Sequence, residues 1–210
     1  MGNPGIRGLY ALTPDEHDTA RLTRLVEEAL DGGARLVQYR NKIASPRLRR
    51  EQAESLLTVC RRAGVPLIVN DDLACAVAIG ADGVHLGRDD GDIAAARASM
   101  PGKLLGVSCY NEISRAVAAQ RAGADYVAFG RFFDSVTKPG DIRASIGLVA
   151  EAKRHVHVPI VAIGGITLDE TPALIAGGVD AVAVISALFS SADVRAAARR
   201  FADLFAGAKQ

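Results

Sequence analysis

Three polar side chains alternate along segment 36–42 (LVQYRNK), namely Gln38, Arg40 and Lys42. Successive side chains of an extended strand point to opposite faces, so these three would share one face. An arginine offers a planar fork for bidentate contact with phosphate, and a lysine offers a mobile positive charge. Alone, the pattern is more typical of a solvated strand end. Because acidic and phosphate-binding residue types recur after the later predicted strands, we interpret it as a polyanion clamp.

Two acidic runs follow the third and fourth predicted strands, Asp71-Asp72 and Asp89-Asp90. Two carboxylates that face each other beside a basic clamp are costly unless a cation lies between them. Oxygen ligands next to a diphosphate or triphosphate favour Mg²⁺ over zinc. We therefore predict one Mg²⁺ ion at Asp71 and Asp90. Aspartate is also a favoured helix N-cap, and capping by Asp72 and by Asp89 or Asp90 is the alternative reading of each run.

A second, metal-free anion site is expected after the sixth to eighth predicted strands. Hydroxyl and ammonium groups lie in a loop bounded by Gly and Pro, a Gly-Gly pair lets backbone N–H groups approach an anion, and a short helix begins after the last strand. A phosphate held after strands seven and eight is a recurrent arrangement in barrels. The residues are Ser135, Thr137, Lys138, Gly164, Gly165, Ile185 and Ser186.

These residues are positioned by a repeated unit of helix, glycine and apolar strand. Four similar strand starts follow Gly33, Gly80, Gly123 and Gly178, and four more apolar segments, 5–12, 65–69, 103–107 and 158–162, lie between them. Continuous apolar runs are typical of parallel strands covered on both faces. Eight such units predict an α/β fold, a single (βα)8 TIM barrel over residues 1–210. The alternative is a doubly wound open sheet, but no GxGxxG follows the first strand.

Composition limits the classes of partner. The chain has 210 residues, 25 basic and 24 acidic, and a net charge of +1, which gives no general attraction to nucleic acid or to a membrane. Cys60, Cys75 and Cys109 show no paired spacing, which suits a reducing compartment. No apolar run approaches membrane-spanning length. We expect a soluble cytoplasmic protein with small-molecule substrates; a homo-oligomer stays open.

No nucleophile and base are paired in the sequence as they are in hydrolases. His85 lies inside the fourth predicted strand, between Val84 and Leu86, which favours a hydrogen-bonded histidine lining the barrel over a catalytic base. We find no Ser-His-Asp or Cys-His arrangement, and no lysine placed among apolar residues for Schiff-base chemistry.

The ordered motifs QxRxK, VNDD, GxHLGxxD, GxS, SxTK, IGGI and VIS lie at the ends of predicted strands, on one rim of the predicted barrel. Together they resemble the thiamine-phosphate synthase family, and the resemblance extends from Tyr10 to Ser186. It implies a transferase that joins 4-amino-5-hydroxymethyl-2-methylpyrimidine diphosphate to 4-methyl-5-(2-phosphoethyl)thiazole, or to its carboxylated tautomer. The products would be thiamine phosphate and diphosphate, and the reaction would be assisted by Mg²⁺.

The resemblance also implies roles for individual residues. Arg40, Lys42 and Lys138 would be catalytic, since they would balance the charge on the departing diphosphate. The pyrimidine diphosphate site would consist of Gln38, Tyr39, Arg40, Asn41, Lys42, Asn70, Ser108 and Lys138. The thiazole phosphate site would consist of Ser135, Val136, Thr137, Gly165, Ile185 and Ser186. The metal ligands would be Asp71 and Asp90.

Three positions depart from the family pattern: Arg88 stands where Gln is common, Tyr110 where His is frequent, and Asp134 where Pro or Asn is usual. Two alternative functions are retained. A thiazole tautomerase of the same superfamily would bind the thiazole phosphate without forming a carbon–nitrogen bond, but it typically has a His where this chain has Arg131. A non-catalytic thiazole-phosphate sensor would bind without Mg²⁺ and form no product.

Overall fold

The computed structural model describes residues 5–133 and 144–208, within which the chain forms eight strands and nine helices. The strands are β1 (Gly8–Leu12), β2 (Leu36–Tyr39), β3 (Leu67–Asn70), β4 (Gly83–Leu86), β5 (Leu104–Tyr110), β6 (Tyr126–Gly130), β7 (Ile160–Ile163) and β8 (Ala181–Val184). The helices are α1 (Thr19–Asp31), α2 (Pro46–Arg62), α3 (Leu73–Ile79), α4 (Ile93–Ser99), α5 (Ile113–Arg121), α6 (Ile146–Ala152), α7 (Thr171–Ala176), α8 (Ser186–Phe189) and α9 (Val194–Gly207).

The strands close into a barrel in chain order, and every neighbouring pair is parallel. Closure comes from the pairing of β1 with β8, in which Gly8 lies opposite Ala181. A helix follows each strand, so the predicted (βα)8 barrel is confirmed. All eight strand C-termini therefore meet at one rim, where barrel enzymes place their chemistry.

The backbone confirms the prediction that a glycine ends the helix before each of four strands. Gly33, Gly80, Gly123 and Gly178 have φ values of 104°, 67°, 96° and 95°. Each lies at or just after the end of a helix, where a residue with a Cβ would be strained. The glycines end the helices and let the chain turn back into the next strand.

The apolar side chains form an inner core inside the barrel and outer clusters between strands and helices. The outer clusters are largely aliphatic, as the composition predicts. The inner core instead contains two fully buried tyrosines, Tyr10 and Tyr126, whose rings meet edge to face with centroids 6.0 Å apart. Their hydroxyl groups bring polar chemistry to the centre of the barrel.

The observed helix N-caps test the alternative interpretation of the two acidic runs, in which their aspartates cap helices. Asp72 caps α3, because its side chain accepts a hydrogen bond from the Cys75 amide. The cap of α4 is Asp92, so the idea that Asp89 or Asp90 caps this helix is wrong. None of the described helices has the length and apolar character needed to cross a bilayer.

Candidate active site

A cleft of about 380 Å³ opens at the rim beside the ends of β2, β3 and β4. It combines basic, acidic and amide side chains, which is the composition expected of an anion site with a metal. Its lining residues are Tyr39, Arg40, Asn41, Lys42, Arg49, Asn70, Asp71, Asp72, Leu73 and Asp90.

The basic side of the cleft comes from the residues that follow β2. Arg40 is held by its backbone, since Thr13 Oγ1 accepts from the Arg40 amide and donates to the Arg40 carbonyl, both at 2.8 Å. Its guanidinium Nη1 lies 3.4 Å from Asp15 Oδ1, and that same oxygen accepts from the Lys42 amide at 2.7 Å. Asp15 thus ties the Arg40 side chain to the backbone of Lys42, so that both cations face one cleft.

The acidic side of the cleft is formed by Asp71 and Asp90. Asp71 directly follows β3 with a left-handed backbone, φ 63°. Asp90 lies four residues beyond β4 and turns back, accepting from the Gly87 amide at 2.8 Å. Burial raises the pKa of Asp90, and a hydrogen bond with Asp71 and that carboxylate's charge raise it further. Lys42 Nζ, 3.3 Å from Asp71 Oδ2, offsets part of this repulsion.

This arrangement fits a magnesium ion. The Asp71 carboxylate lies close enough to Asp90 to raise the pKa of Asp90, and the other nearby donors, such as the Asn70 amide, also offer oxygen. Within residues 5–133 and 144–208 no cluster of three or more His, Cys, Asp or Glu side chains could enclose a metal by itself. Mg²⁺ commonly binds through one or two carboxylates and completes its shell with water and substrate phosphate.

Two of the predicted site residues, Tyr39 and Asn41, border the cleft, but their side chains make hydrogen bonds with residues outside it. The Tyr39 hydroxyl donates to Gln52 Oε1 at 2.9 Å, and the ring packs in the outer core against α2. The buried Asn41 amide donates to the Glu16 carbonyl at 2.6 Å and to Gln52 Oε1 at 2.9 Å. These side chains support the β2 segment, so a substrate contact at either position would come from the main chain.

The other side of the rim carries the residues of the predicted phosphate site. Ile163 is paired with Ala183, so the loops that follow β7 and β8 are neighbours. Gly164 and Gly165 have φ values of 102° and 67°, and Ser186 begins the short helix α8, as predicted. The remaining predicted residues, Ser135, Val136, Thr137 and Lys138, and the divergent Asp134, lie outside the described residues.

Two arginines of the site were not predicted. Arg49 lines the cleft from the start of α2 and pairs with Asp72 at 3.2 Å. A signal for it was present, because the first turn of α2 contains basic residues and no acidic residue, against the usual preference of a helix N-terminus. Arg115 of α5 donates to the Ser108 carbonyl at 2.8 Å and the Gly87 carbonyl at 3.1 Å, joining the ends of β4 and β5. Nothing in the local sequence marks this contact.

The structure also accounts for two of the family departures. The Arg88 guanidinium lies over the Tyr110 ring, 4.9 Å from its centroid, and pairs with Glu112. The Tyr110 hydroxyl accepts from the Arg88 amide at 3.3 Å. Arg88 therefore braces the loop after β4 through Tyr110 and Glu112, and it is not among the cleft-lining residues.

Below the rim, His85 is part of a buried hydrogen-bonded network. Its Nδ1 lies 3.1 Å from the Tyr126 hydroxyl and its Nε2 lies 2.9 Å from Ser108 Oγ. Tyr126 contacts the Tyr10 hydroxyl at 2.8 Å, and Gln38 Nε2 donates to Tyr10 at 2.7 Å. The prediction that His85 is a hydrogen-bonded histidine lining the barrel is confirmed. The network connects two predicted substrate-binding residues, Gln38 and Ser108.

A closed parallel barrel with paired cations and carboxylates at its C-terminal rim defines a (βα)8-barrel enzyme built for anionic substrates. The family model described as thiamine monophosphate synthase matches residues 9–188. The chain belongs to this family.

Individual relatives agree with that assignment. A thiamine-phosphate synthase from Methylobacillus flagellatus is 57% identical over 203 residues, which is 96% of this chain and 97% of the relative. One from an Azoarcus species is 54% identical over 202 residues, 96% of this chain and 98% of the relative. The solved structure of a thiamine phosphate pyrophosphorylase from Pyrococcus furiosus superposes with a TM-score of 0.84 at 33% identity and covers 95% of each chain.

Proposed function

We propose that this protein joins 4-amino-5-hydroxymethyl-2-methylpyrimidine diphosphate to 4-methyl-5-(2-phosphoethyl)thiazole, or to its carboxylated tautomer, to give thiamine phosphate and diphosphate. The observation that carries the proposal is the convergence of Arg40 and Lys42 with Asp71 and Asp90 in one cleft. A cleft of this kind suits a diphosphate leaving group, and family membership agrees with the reaction.

The cleft would bind the diphosphate and leave the pyrimidine over the barrel mouth. Arg40 and Lys42 lie on one side of the cleft and would balance the negative charge that grows as the carbon–oxygen bond breaks. Lys138 is proposed to assist from outside the described residues. Asn70, Gln38 and Ser108 would orient the diphosphate and the pyrimidine ring.

Asp71 and Asp90 are the proposed ligands of one Mg²⁺ ion. When bound, this ion supplies a positive charge that stabilises the leaving diphosphate. Arg40 and Lys42 would hold the diphosphate from the protein side, and Asp15 ties the Arg40 guanidinium to the Lys42 backbone amide.

The thiazole would bind at the opposite side of the rim. We propose that its phosphate is held by Ser135, Val136, Thr137, Gly165, Ile185 and Ser186. The proposed substitution is dissociative: the carbon–oxygen bond breaks first, a cation forms at the pyrimidine methylene carbon, and the thiazole nitrogen, with its phosphate anchored, then attacks that cation. The nitrogen already carries its lone pair, so the step needs no general base, in agreement with a His85 that is committed to the barrel interior.

The rival functions would not require the whole cleft. A tautomerase or a phosphate sensor has no use for a diphosphate clamp beside two carboxylates. The test is to mix the purified protein with both substrates and Mg²⁺ and to assay thiamine phosphate. We expect product with Mg²⁺ and none without it. Tight binding of the thiazole phosphate with no product would support the sensor.

We further propose that a single barrel domain, residues 1–210, carries this activity in the cytoplasm. The supporting observation is that Cys60, Cys75 and Cys109 are all free thiols, as in a reducing compartment. The proposed ligands are small molecules only, and neither nucleic acid nor membrane takes part.

A further inference from the structure

Five side chains form one continuous hydrogen-bonded chain across the inside of the barrel. It runs from Gln38 on β2 through Tyr10, Tyr126 and His85 to Ser108 on β5, with four contacts of 2.7, 2.8, 3.1 and 2.9 Å. The residues come from five different strands, β2, β1, β6, β4 and β5. We call this chain the relay. Its two ends, Gln38 and Ser108, are the residues proposed to contact the pyrimidine.

The barrel is shaped to accommodate the relay. A Cβ at Gly106 would lie 2.1 Å from Tyr126 Cζ and 2.5 Å from His85 Nδ1, so only glycine leaves room for the contact between them. The Tyr126 and His85 rings are stacked at a tilt of 33°, with centroids 5.5 Å apart. Burial raises the pKa of the Tyr10 and Tyr126 hydroxyls, so both keep their protons at physiological pH.

With Gln38 Nε2 as the donor, one direction along the relay gives every buried proton an acceptor, because each hydroxyl and the neutral imidazole carry a single proton. Gln38 Nε2 donates to the Tyr10 oxygen, which leaves the Tyr10 proton for Tyr126. The Tyr126 proton then goes to His85 Nδ1, since its own oxygen is already an acceptor. A neutral imidazole that accepts at Nδ1 carries its proton on Nε2 and donates it to Ser108 Oγ.

The direction fixes opposite polarity at the two ends. Gln38 uses its amide nitrogen inside the barrel, and no described residue donates to its Oε1, which is left as an acceptor for a ligand. Ser108 receives a proton from His85, so its own hydroxyl proton is left to donate outward. Reversing one end alone would leave a buried tyrosine proton without an acceptor in the relay, so a reversal is favourable only when every bond turns.

We propose that the relay makes this site selective for an amino-pyrimidine over an oxo-pyrimidine, with Tyr10, Tyr126 and His85 as positioning residues. An amino-pyrimidine has an exocyclic amino group that can donate to Gln38 Oε1 and ring nitrogens that can accept from Ser108. An oxo-pyrimidine presents a carbonyl oxygen where the amino group would be, and that oxygen would face Gln38 Oε1. The inference rests on the proposed function, because it takes the pyrimidine diphosphate as the ligand.

The first test compares binding of the 4-amino pyrimidine diphosphate with that of its 4-oxo analogue by titration calorimetry, with Mg²⁺ and without the thiazole. We expect the wild type to prefer the amino compound by about 100-fold, since a mispaired buried polar group is costly. In Tyr126→Phe the Tyr10 hydroxyl loses its acceptor and can donate to Gln38 Oε1, so the Gln38 amide can turn. The preference should fall to about 10-fold or less.

Tyr126 hydrogen-bonds to Tyr10 and His85 and not to the two ends of the relay, so loss of packing alone would lower the affinity for both compounds and leave their ratio unchanged. The control is Thr23→Val, which removes a partly buried hydroxyl that bonds the Thr19 carbonyl at 2.8 Å and Ser55 at 3.0 Å between α1 and α2. It should keep the wild-type ratio. Retention of that ratio by Tyr126→Phe overturns the proposal.

A second test measures the wild-type protein and uses a relay variant only to assign the signal. Nitrogen-15 NMR of the four histidines, with His85 assigned by its disappearance in His85→Gln, reports which ring nitrogen carries the proton. We expect a proton on Nε2 and a bare Nδ1, and a proton on Nδ1 overturns the proposal. Failure of the proposed function would look different, because the wild type would then form no thiamine phosphate whatever its histidine tautomer.

Discussion

At the scale of single residues, the most constrained position of the site is Asp71. A non-glycine residue with φ 63° is uncommon, and aspartate is among the side chains that tolerate this region best. The conformation turns the carboxylate back toward Lys42 and Asp90. Local strain of this kind is found where function requires it, in agreement with a metal-binding role.

Replacement of either proposed metal ligand should remove turnover without unfolding the barrel. In Asp71→Asn or Asp90→Asn, we expect kcat to fall by about 100-fold or more, in line with the loss of roughly 3 kcal/mol of charge stabilisation. Steady-state kinetics across a Mg²⁺ titration would measure this. EDTA should abolish wild-type turnover and added Mg²⁺ should restore it.

The matched control is Asp89→Asn, which removes an exposed carboxylate next to Asp90. It should stay within about twofold of wild type, because exposed charges contribute little. Full activity of the wild type in EDTA would contradict the metal assignment.

Two further substitutions separate the anion sites. Arg40→Ala should weaken the pyrimidine diphosphate by about 10- to 100-fold and leave the thiazole phosphate nearly unchanged, because charged hydrogen bonds are worth about 1.5–3 kcal/mol. Ser186→Ala should do the reverse, with a loss of only about 2- to 10-fold for a neutral donor. Calorimetric titration of each variant with each ligand measures the two dissociation constants. An equal loss of affinity for both ligands would mean that the two sites are not separate.

At the scale of elements, the loop after β4 depends on its neighbours for its shape. Arg115 of α5 bonds the Gly87 and Ser108 carbonyls, while the Gly87 amide bonds Asp90. Arg88 of this loop also contacts Tyr110 and Glu112. The position of the Asp90 carboxylate is therefore set by a helix that begins 23 residues later in the chain, at Ile113.

Removal of this support should loosen the metal site rather than the barrel. Arg115→Ala should raise the Mg²⁺ concentration needed for half-maximal diphosphate binding, while the melting temperature falls by only a few degrees, about 2–4 °C per kcal/mol lost. Arg121→Ala, on the same helix but exposed, is the control and should change neither quantity appreciably. An Arg115→Ala protein with wild-type Mg²⁺ dependence would show that the loop holds its shape without this contact.

At the scale of the whole molecule, closure of the barrel depends on a glycine at its centre. The Tyr126 ring and the His85 imidazole occupy the space where a side chain at position 106 would lie. Interior packing of this density leaves no free volume beside Gly106, so even one added methyl group is expected to displace a ring.

Gly106→Ala should therefore destabilise the fold by about 1–3 kcal/mol or more, as overpacking of a core does. Gly147→Ala in the exposed part of α6 has its nearest neighbour 3.8 Å from the new Cβ and should be neutral or stabilising by up to about 1 kcal/mol. Thermal unfolding of the two variants beside wild type measures the contrast. Equal stability of both would mean that the barrel interior can rearrange.

The sequence by itself determined the elements and the order of the site residues. The features that allowed this are local. They are the apolar runs, the helix-ending glycines such as Gly80, and the alternation of Gln38, Arg40 and Lys42, and each depends only on backbone preferences of neighbouring residues. They were enough to predict a barrel and to place Asp71, Gly165 and Ser186 at its rim. The roles of Ser135, Val136, Thr137 and Lys138 stay predictions, because these residues lie outside the described part of the chain.

Only the tertiary structure decided which side chains meet. Tyr10 and Tyr126 are 116 residues apart and touch because the sheet closes, and closure and register belong to the whole barrel. The same holds for Arg115 beside Gly87 and for Asp92, rather than Asp90, as the cap of α4. Periodicity shows which face a residue occupies, but the distance between two faces is set by the packing of all eight strands.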